Sequence, residues 1–320
     1  MNQSSRLNWF HIDDCSDIKN RMIPNMRLAA FLAMALLATA LKAQDLEPRL
    51  YVNLPVNQNF VGLATAYSEG AVLNSANVPV EDASLYYNSV IAAYVRTFSL
   101  NGNSAKIDTN IPYSCVKGSA VFEGVPASRE ECAQGDLRLR FSYNFWGAPA
   151  LSLQEYAQAA RGTTAGLSVQ LSAPTGHYDS TKLINIGANR WFIKPEIGIS
   201  IPWRKFSNEF ALGATFFSND DDFLGRELAQ EPIVNVQWHL IYNLTNKQWL
   251  ALNTNYFFGG DMEVNGNPLD SQENRSRLGL TWGLSLNRQH SLKLSAHTGV
   301  ITQIGNDMDT YVLGWTYRWE

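Results

Sequence analysis

No run of about eighteen apolar residues occurs anywhere in the chain, so no segment is built to cross a bilayer as a helix. Charge is sparse as well. Charged residues make up 17% of the sequence against 45% apolar, the net charge is -4, and no Lys or Arg cluster offers the basic footprint that nucleic acid requires. Histidine is rarer still, with 5 in the whole sequence and no two at a metal-ligand spacing on a helix. No Cys-x-x-Cys occurs either, so nothing points to a metal centre. No compositional break marks a linker, and the 320 residues read as one domain.

Catalytic machinery is equally hard to find. Beyond the N-terminal region the histidines are His177 in a loop, His239 and His297 among strand-like residues, and His290 in a turn. A serine or threonine beside one of them could make a barrel lipase, but such constellations are defined by geometry and not by order along the chain. The run Asp220-Asp221-Asp222 has the oxygen ligands that Ca²⁺ takes, although runs of this kind are more often solvated loops. The expectation is therefore no catalytic residue, no metal ligand and no cofactor.

The one long apolar run, Leu28 to Leu41, is too short to span, and it follows Arg21 and Arg27 and ends in small residues around Ala38-Thr39-Ala40 and Ala43. A positive region, a short apolar stretch and an Ala-x-Ala site make a secretory leader. Residues 1–43 read as a hydrophilic extension plus signal peptide, cleaved near 40 or 43, with translation starting at Met22 or Met26 if the extension is not made. Residues 44–320 are then the mature fold. Of the 3 cysteines, Cys15 is discarded. Cys115 and Cys132 remain as a pair that closes a loop in an oxidising compartment or stays as two thiols.

What the mature chain has in abundance is alternation. In Asp136 to Phe145 the odd positions are Leu137, Leu139, Phe141, Tyr143 and Phe145, and the even ones are all polar or charged. Successive side chains of a strand face opposite ways, so this segment has one apolar and one polar face. The pattern recurs in Val234 to Leu244, Leu278 to Leu286, Leu292 to Val300 and Tyr311 to Trp319. Ribbons of about nine to eleven residues suit a tilted strand crossing a bilayer. Aromatic residues gather at their ends, as Tyr317 with Trp319, Tyr256 with Phe258, and Trp191 do. Short links at 101–103, 203–208, 245–247 and 287–291 alternate with long polar links at 114–135, 174–189, 219–232 and 259–274. These features predict an all-β, antiparallel transmembrane barrel of about 12 strands, with short periplasmic turns and long extracellular loops.

The predicted strands are Asn59 to Ser68, Ser84 to Leu100, Ser104 to Ile111, Asp136 to Trp146, Thr164 to Ala173, Arg190 to Pro202, Ser207 to Ser218, Ile233 to Leu244, Gln248 to Phe258, Arg275 to Leu286, Ser291 to Ile301 and Met308 to Trp319. Ser84 to Leu100 carries an anomaly, because Arg96 shares a face with Val90, Ala92 and Tyr94. Ala120 to Glu123 could lengthen a hairpin in the cysteine-bearing link, and the Ala-rich link 148–161 reads as a short helix on the periplasmic side.

A charged side chain at the lipid midplane costs about 2 to 4 kcal/mol, so the charges on polar faces must point inward. The candidates for the lumen lining are Arg138, Arg140, Arg190, Lys194, Glu196, His239, Arg277, Lys293, His297 and Arg318. They either pair into a salt-bridged plug or line a polar path, and both can hold. His177, Tyr178, Asp179, Asn189 and Trp191, in and beside the long loop 174–189, are candidates for a gate that stacks an aromatic solute.

Five segments carry a family resemblance: Asp45-Leu46-Glu47-Pro48-Arg49, Gly147-Ala148-Pro149-Ala150, Pro174-Thr175-Gly176-His177-Tyr178-Asp179, Asn185-Ile186-Gly187-Ala188-Asn189-Arg190-Trp191 and Lys194-Pro195-Glu196-Ile197-Gly198. In this order they resemble the outer-membrane transporter family called "putative MetA-pathway of phenol degradation". The resemblance implies a barrel in the Gram-negative outer membrane that takes up aromatic or other apolar small molecules by facilitated diffusion. A general porin for polar solutes and a structural or adhesive barrel without transport are the alternatives. The expected partners are outer-membrane lipid, a small solute and the barrel-insertion machinery, with the chain acting as a monomer.

Overall fold

The computed structural model describes residues 47–73, 80–122, 125–182, 184–269, 271–302 and 305–320. The leader, Cys15, Asp45 and Leu46 lie outside the described residues. In chain order the strands are β1 (Asn59–Leu73), β2 (Val80–Leu100), β3 (Asn103–Phe122), β4 (Val125–Gln134), β5 (Leu137–Trp146), β6 (Thr164–Ala173), β7 (Phe192–Trp203), β8 (Phe206–Phe217), β9 (Leu228–Gln230), β10 (Ile233–Asn243), β11 (Gln248–Gly259), β12 (Met262–Val264), β13 (Asn267–Leu269), β14 (Glu273–Ser285), β15 (His290–Thr302) and β16 (Gly305–Trp319). Among the described residues one helix, α1 (Leu153–Gln158), sits between β5 and β6 and is opened by a capping box of Ser152 and Glu155.

Twelve of these strands close a barrel. Each pairs antiparallel with its neighbour in the order β2-β1-β16-β15-β14-β11-β10-β8-β7-β6-β5-β3, and the β2–β3 pairing shuts the ring. First and last strands meet, with Asn59 opposite Trp319. Closure pairs every strand on both sides, which is the condition for backbone to survive in hydrocarbon. The turn Asn101-Gly102 joins β2 to β3 with both residues at positive φ (48° and 78°), and Asn265-Gly266 repeats it between β12 and β13 (49° and 72°). Asn-Gly is the pair that adopts this turn with little strain.

Side-chain alternation splits the wall into two faces. Leu280 is 64% exposed, Val300 59% and Leu63 50%, all on the outside, while Asn235, Asn253 and Thr281 beside them in the sheet are buried on the inside. The apolar exterior faces lipid, placing the protein in the outer membrane of a Gram-negative cell. Arg96 does fall on this outer face. It lies near the periplasmic edge, where its Nη1 and the Tyr94 hydroxyl both donate to Asn59 Oδ1 at 2.8 Å, beside the Trp319 ring. An arginine there reaches water and costs little.

Two expectations change. The link 114–135 is no loop: β3 continues to Phe122 and returns as β4, so β2, β3 and β4 project as a ribbon beyond the membrane. Cys115 and Cys132 face each other across it and are bonded (S–S 2.01 Å). The second change is that Arg190 precedes β7 instead of lying in it, although its side chain is buried inside.

Candidate functional site

The lumen is stopped from below by the chain's own N-terminal segment, residues 47–58. Glu47 reaches Arg140 on β5 at 2.6 Å, and Arg140 also holds Asp108 on β3 at 3.2 Å. The Arg49 amide donates to Glu209 on β8 at 2.6 Å, and its guanidinium lies 5.2 Å from the Trp249 ring centre. Tyr51 is the anchor. Its hydroxyl lies 3.2 Å from Ser168 Oγ and donates to Glu196 Oε1 at 3.1 Å, and its carbonyl accepts from Thr164. Its ring fits because Gly166 and Gly198, directly paired across β6 and β7, offer no side chain; a β-carbon on Gly166 would stand 2.8 Å from the ring. Mid-strand glycine where another group approaches closely is the expected use of that residue. The segment ends tied to β2, where Asn57 and Gln58 donate to Thr97 at 2.9 Å.

Loop 174–191 and the three-stranded sheet of β9, β12 and β13 cover the opposite mouth. Asp136, between β4 and β5, pins the neck of the loop by accepting from the amides of Gly176 and Ala188, both at 2.9 Å. The two sides of that neck touch glycine to glycine, since a β-carbon on Gly187 would lie 2.7 Å from the Gly176 carbonyl carbon. Ile184 and Ile186 then drop onto Leu85, Tyr87, Val116 and Met308 as a small apolar core. Tyr178 donates to Asp220 at 2.8 Å, and Asn189 does so at 2.7 Å, locking this loop to the next one. Burial, reinforced by Asp220, raises the Tyr178 hydroxyl above the ordinary tyrosine range, so it stays a donor.

Between plug and cap lies a chamber of about 440 Å³. Its walls differ in chemistry. Ala64 and Ala66 on β1, Ile91, Ala93 and Val95 on β2, and Val312 on β16 form a continuous apolar arc over three adjacent strands. Elsewhere the lining carries charges of both signs among neutral residues: Lys106, Arg138, Arg140, Arg190, Arg277 and Lys293 against Glu47, Asp108, Asp136 and Asp220. Phe223, Leu228 and Met262 close the top.

The residues singled out in the sequence thus divide. Arg138, Arg140, Arg190, Arg277, Lys293 and His297 line the chamber. Lys194, Glu196 and His239 border the plug instead; Lys194 and Glu196 pair at 3.0 Å, and His239 Nδ1 lies 2.8 Å from Asn253 Oδ1. Arg318 is on the inner side near the periplasmic rim, outside the chamber. Of the gate candidates, Tyr178 reaches the chamber and Asn189 braces it. His177 pairs with Glu131 at 3.1 Å on the ribbon, and Asp179 caps its own turn through Thr181. Trp191 continues the outer face of β7, 48% exposed, and does not line the chamber. Asp220 is buried and occupied by hydrogen bonds from Tyr178, Asn189 and the Asp222 amide. Sequence reasoning missed the plug and the apolar arc. The arc's signal was available, because odd positions of β2 from Tyr87 to Val95 are apolar or small on the face that points inward.

Residues 69–303 match the model of the family described as "Putative MetA-pathway of phenol degradation". Among solved structures, an outer membrane channel from Pseudomonas putida F1 aligns with a TM-score of 0.74 at 18% identity, covering 86% of this chain and 100% of that one. The transport unit of the autotransporter AIDA-I from Escherichia coli aligns with a TM-score of 0.52 at 10% identity, over 90% of this chain and 97% of that one. No curated protein matches the sequence. The chain belongs to the family of the "Putative MetA-pathway of phenol degradation", and it is an outer-membrane β-barrel with the fold of a channel.

Proposed function

We propose that the protein carries small apolar or aromatic molecules across the outer membrane by facilitated diffusion, driven by their gradient and without a cofactor. The observation that carries this reading is the apolar arc of Ala64, Ala66, Ile91, Ala93, Val95 and Val312 inside the lumen chamber. A water-filled porin has a polar interior and an open bore. Here the bore is stoppered at Tyr51 and capped at Tyr178, and about 440 Å³ is room for one small molecule. Burying apolar surface contributes about 25 cal/mol per Å², so the arc favours a passenger that leaves water readily. The leader at residues 1–43 exports the chain, the barrel-insertion machinery seats it, and it works as a monomer.

A deletion strain tested for uptake and growth on a panel of aromatic and aliphatic carbon sources decides the matter. The expected result is a selective defect on apolar or aromatic compounds at low concentration. Unchanged uptake of every compound would point to a structural barrel. Large, salt-proportional conductance of the purified protein in planar bilayers would point to a general porin.

A further inference from the structure

The charged groups of the lumen are unevenly neutralised. Near the plug the main charges pair directly: Arg140 with Glu47 and Asp108, and Lys194 with Glu196. Higher on the β14–β15 hairpin the balance fails. Arg277 is only 7% exposed, its Nε has no hydrogen-bond partner, and no carboxylate among the described residues lies within the 4.0 Å of an ion pair. The nearby acids stand outside direct contact with it. Glu273 is taken by Arg275 at 2.7 Å, and Asp307 lies against Gly299 on the neighbouring strand. His297 also presents a buried Nε2 without a partner, its ring laid over Gly279, where a β-carbon would stand 2.4 Å from Cδ2. Lys293 is on the same inner face of β15, four residues from His297.

A buried guanidinium with no carboxylate in direct contact is costly, and an anion that arrives there completes it. The hairpin borders the apolar arc directly, because β15 pairs with β16. We infer that Arg277 and His297 form an anion subsite of the chamber, and that the passenger is an amphipathic monoanion: an apolar or aromatic body bearing one carboxylate. This rests on the transport reading above and narrows its substrate class. The body lies on the arc at Val312, where β16 borders the hairpin, and the carboxylate takes the guanidinium edge of Arg277. A single charge suits the site, since the apolar arc next to it offers no cation to pair a second anion.

The test is equilibrium binding to the full chain in lipid nanodiscs at pH 7, with benzoate, its neutral isostere benzamide, and acetate as probes. Benzoate is expected to bind at least about tenfold more tightly than either of the others. Arg277→Gln should remove that preference while leaving benzamide unaffected, and Arg277→Lys should restore part of it. Equal binding of benzoate and benzamide by the wild-type barrel overturns the subsite and leaves the transport reading standing. If no probe with a ring binds, both fall. The wild-type comparison decides the question even if the glutamine variant does not fold, which heat-modifiable migration on gels reveals.

Discussion

Gly198 faces the ring of Tyr51 so closely that a β-carbon at this position would stand 2.2 Å from Cε2. The plug is therefore keyed to a position that only glycine fits, and Gly198→Val should expel the ring. Truncating a buried aromatic costs about 3 to 5 kcal/mol, enough to loosen the middle of the segment between its ties to Arg140 and to Thr97. Single-channel recording should show conductance severalfold above wild type for Gly198→Val and for Tyr51→Ala alike, with the barrel intact. Wild-type conductance in both variants would mean that the segment does not limit the bore.

Much of the wall was legible because lipid outside and a polar lumen inside impose a strict two-residue period, as in Leu137 to Phe145. The reading weakened wherever that contrast vanishes. In the ribbon of β3 and β4 both faces meet water or loop, so alternation fades, and 114–135 looked like a long loop. In β2 both faces are apolar, which hid the arc. The plug has no period of its own: Glu47 to Gln58 is an irregular strand of contacts, and its only trace lies elsewhere, in the glycines at 166 and 198. Arg96 looked misplaced because sequence gives the face of a residue and not its depth in the membrane.

Asp136 holds two amides of the capping loop with one carboxylate. Asp136→Ala leaves both without their acceptor at a buried site, and hydrogen bonds to a charged group are worth about 1.5 to 3 kcal/mol each. The loop should open while the wall remains folded. Limited proteolysis within residues 174–190 is expected to accelerate at least tenfold; a cleavage rate equal to wild type would show that the cap is held by its apolar core alone.

The Cys115–Cys132 bond lies on the ribbon, on the face turned away from the lumen where Tyr113 and Lys117 are exposed. Closing a loop with a sequence separation of 17 stabilises by about 3 kcal/mol in the chain-entropy account. Replacing both cysteines by serine should lower the denaturant midpoint of unfolding by a corresponding amount and leave solute passage unaltered. A transport defect without loss of stability would instead give the ribbon a direct part in capture.

The two faces of the wall make opposite demands on a charge, and a pair of substitutions on neighbouring strands separates them. Leu63 on β1 points to lipid and is paired with Ala92, while Ala93, the next residue of β2, points into the chamber. Leu63→Arg puts a charge in hydrocarbon at a cost of about 2 to 4 kcal/mol, so it should reduce the yield and stability of the folded barrel. Protein that does fold should still carry solute, because the lumen is untouched. Ala93→Asp puts a carboxylate on the apolar arc, where the lumen can hydrate it, so folding should be normal. It should nevertheless abolish uptake of apolar compounds, since the passenger would have to displace that hydration without replacing its hydrogen bonds. Uptake assays on folded protein, set beside heat-modifiable migration, read both quantities. If Ala93→Asp transports as well as wild type, the arc is not the surface the passenger follows.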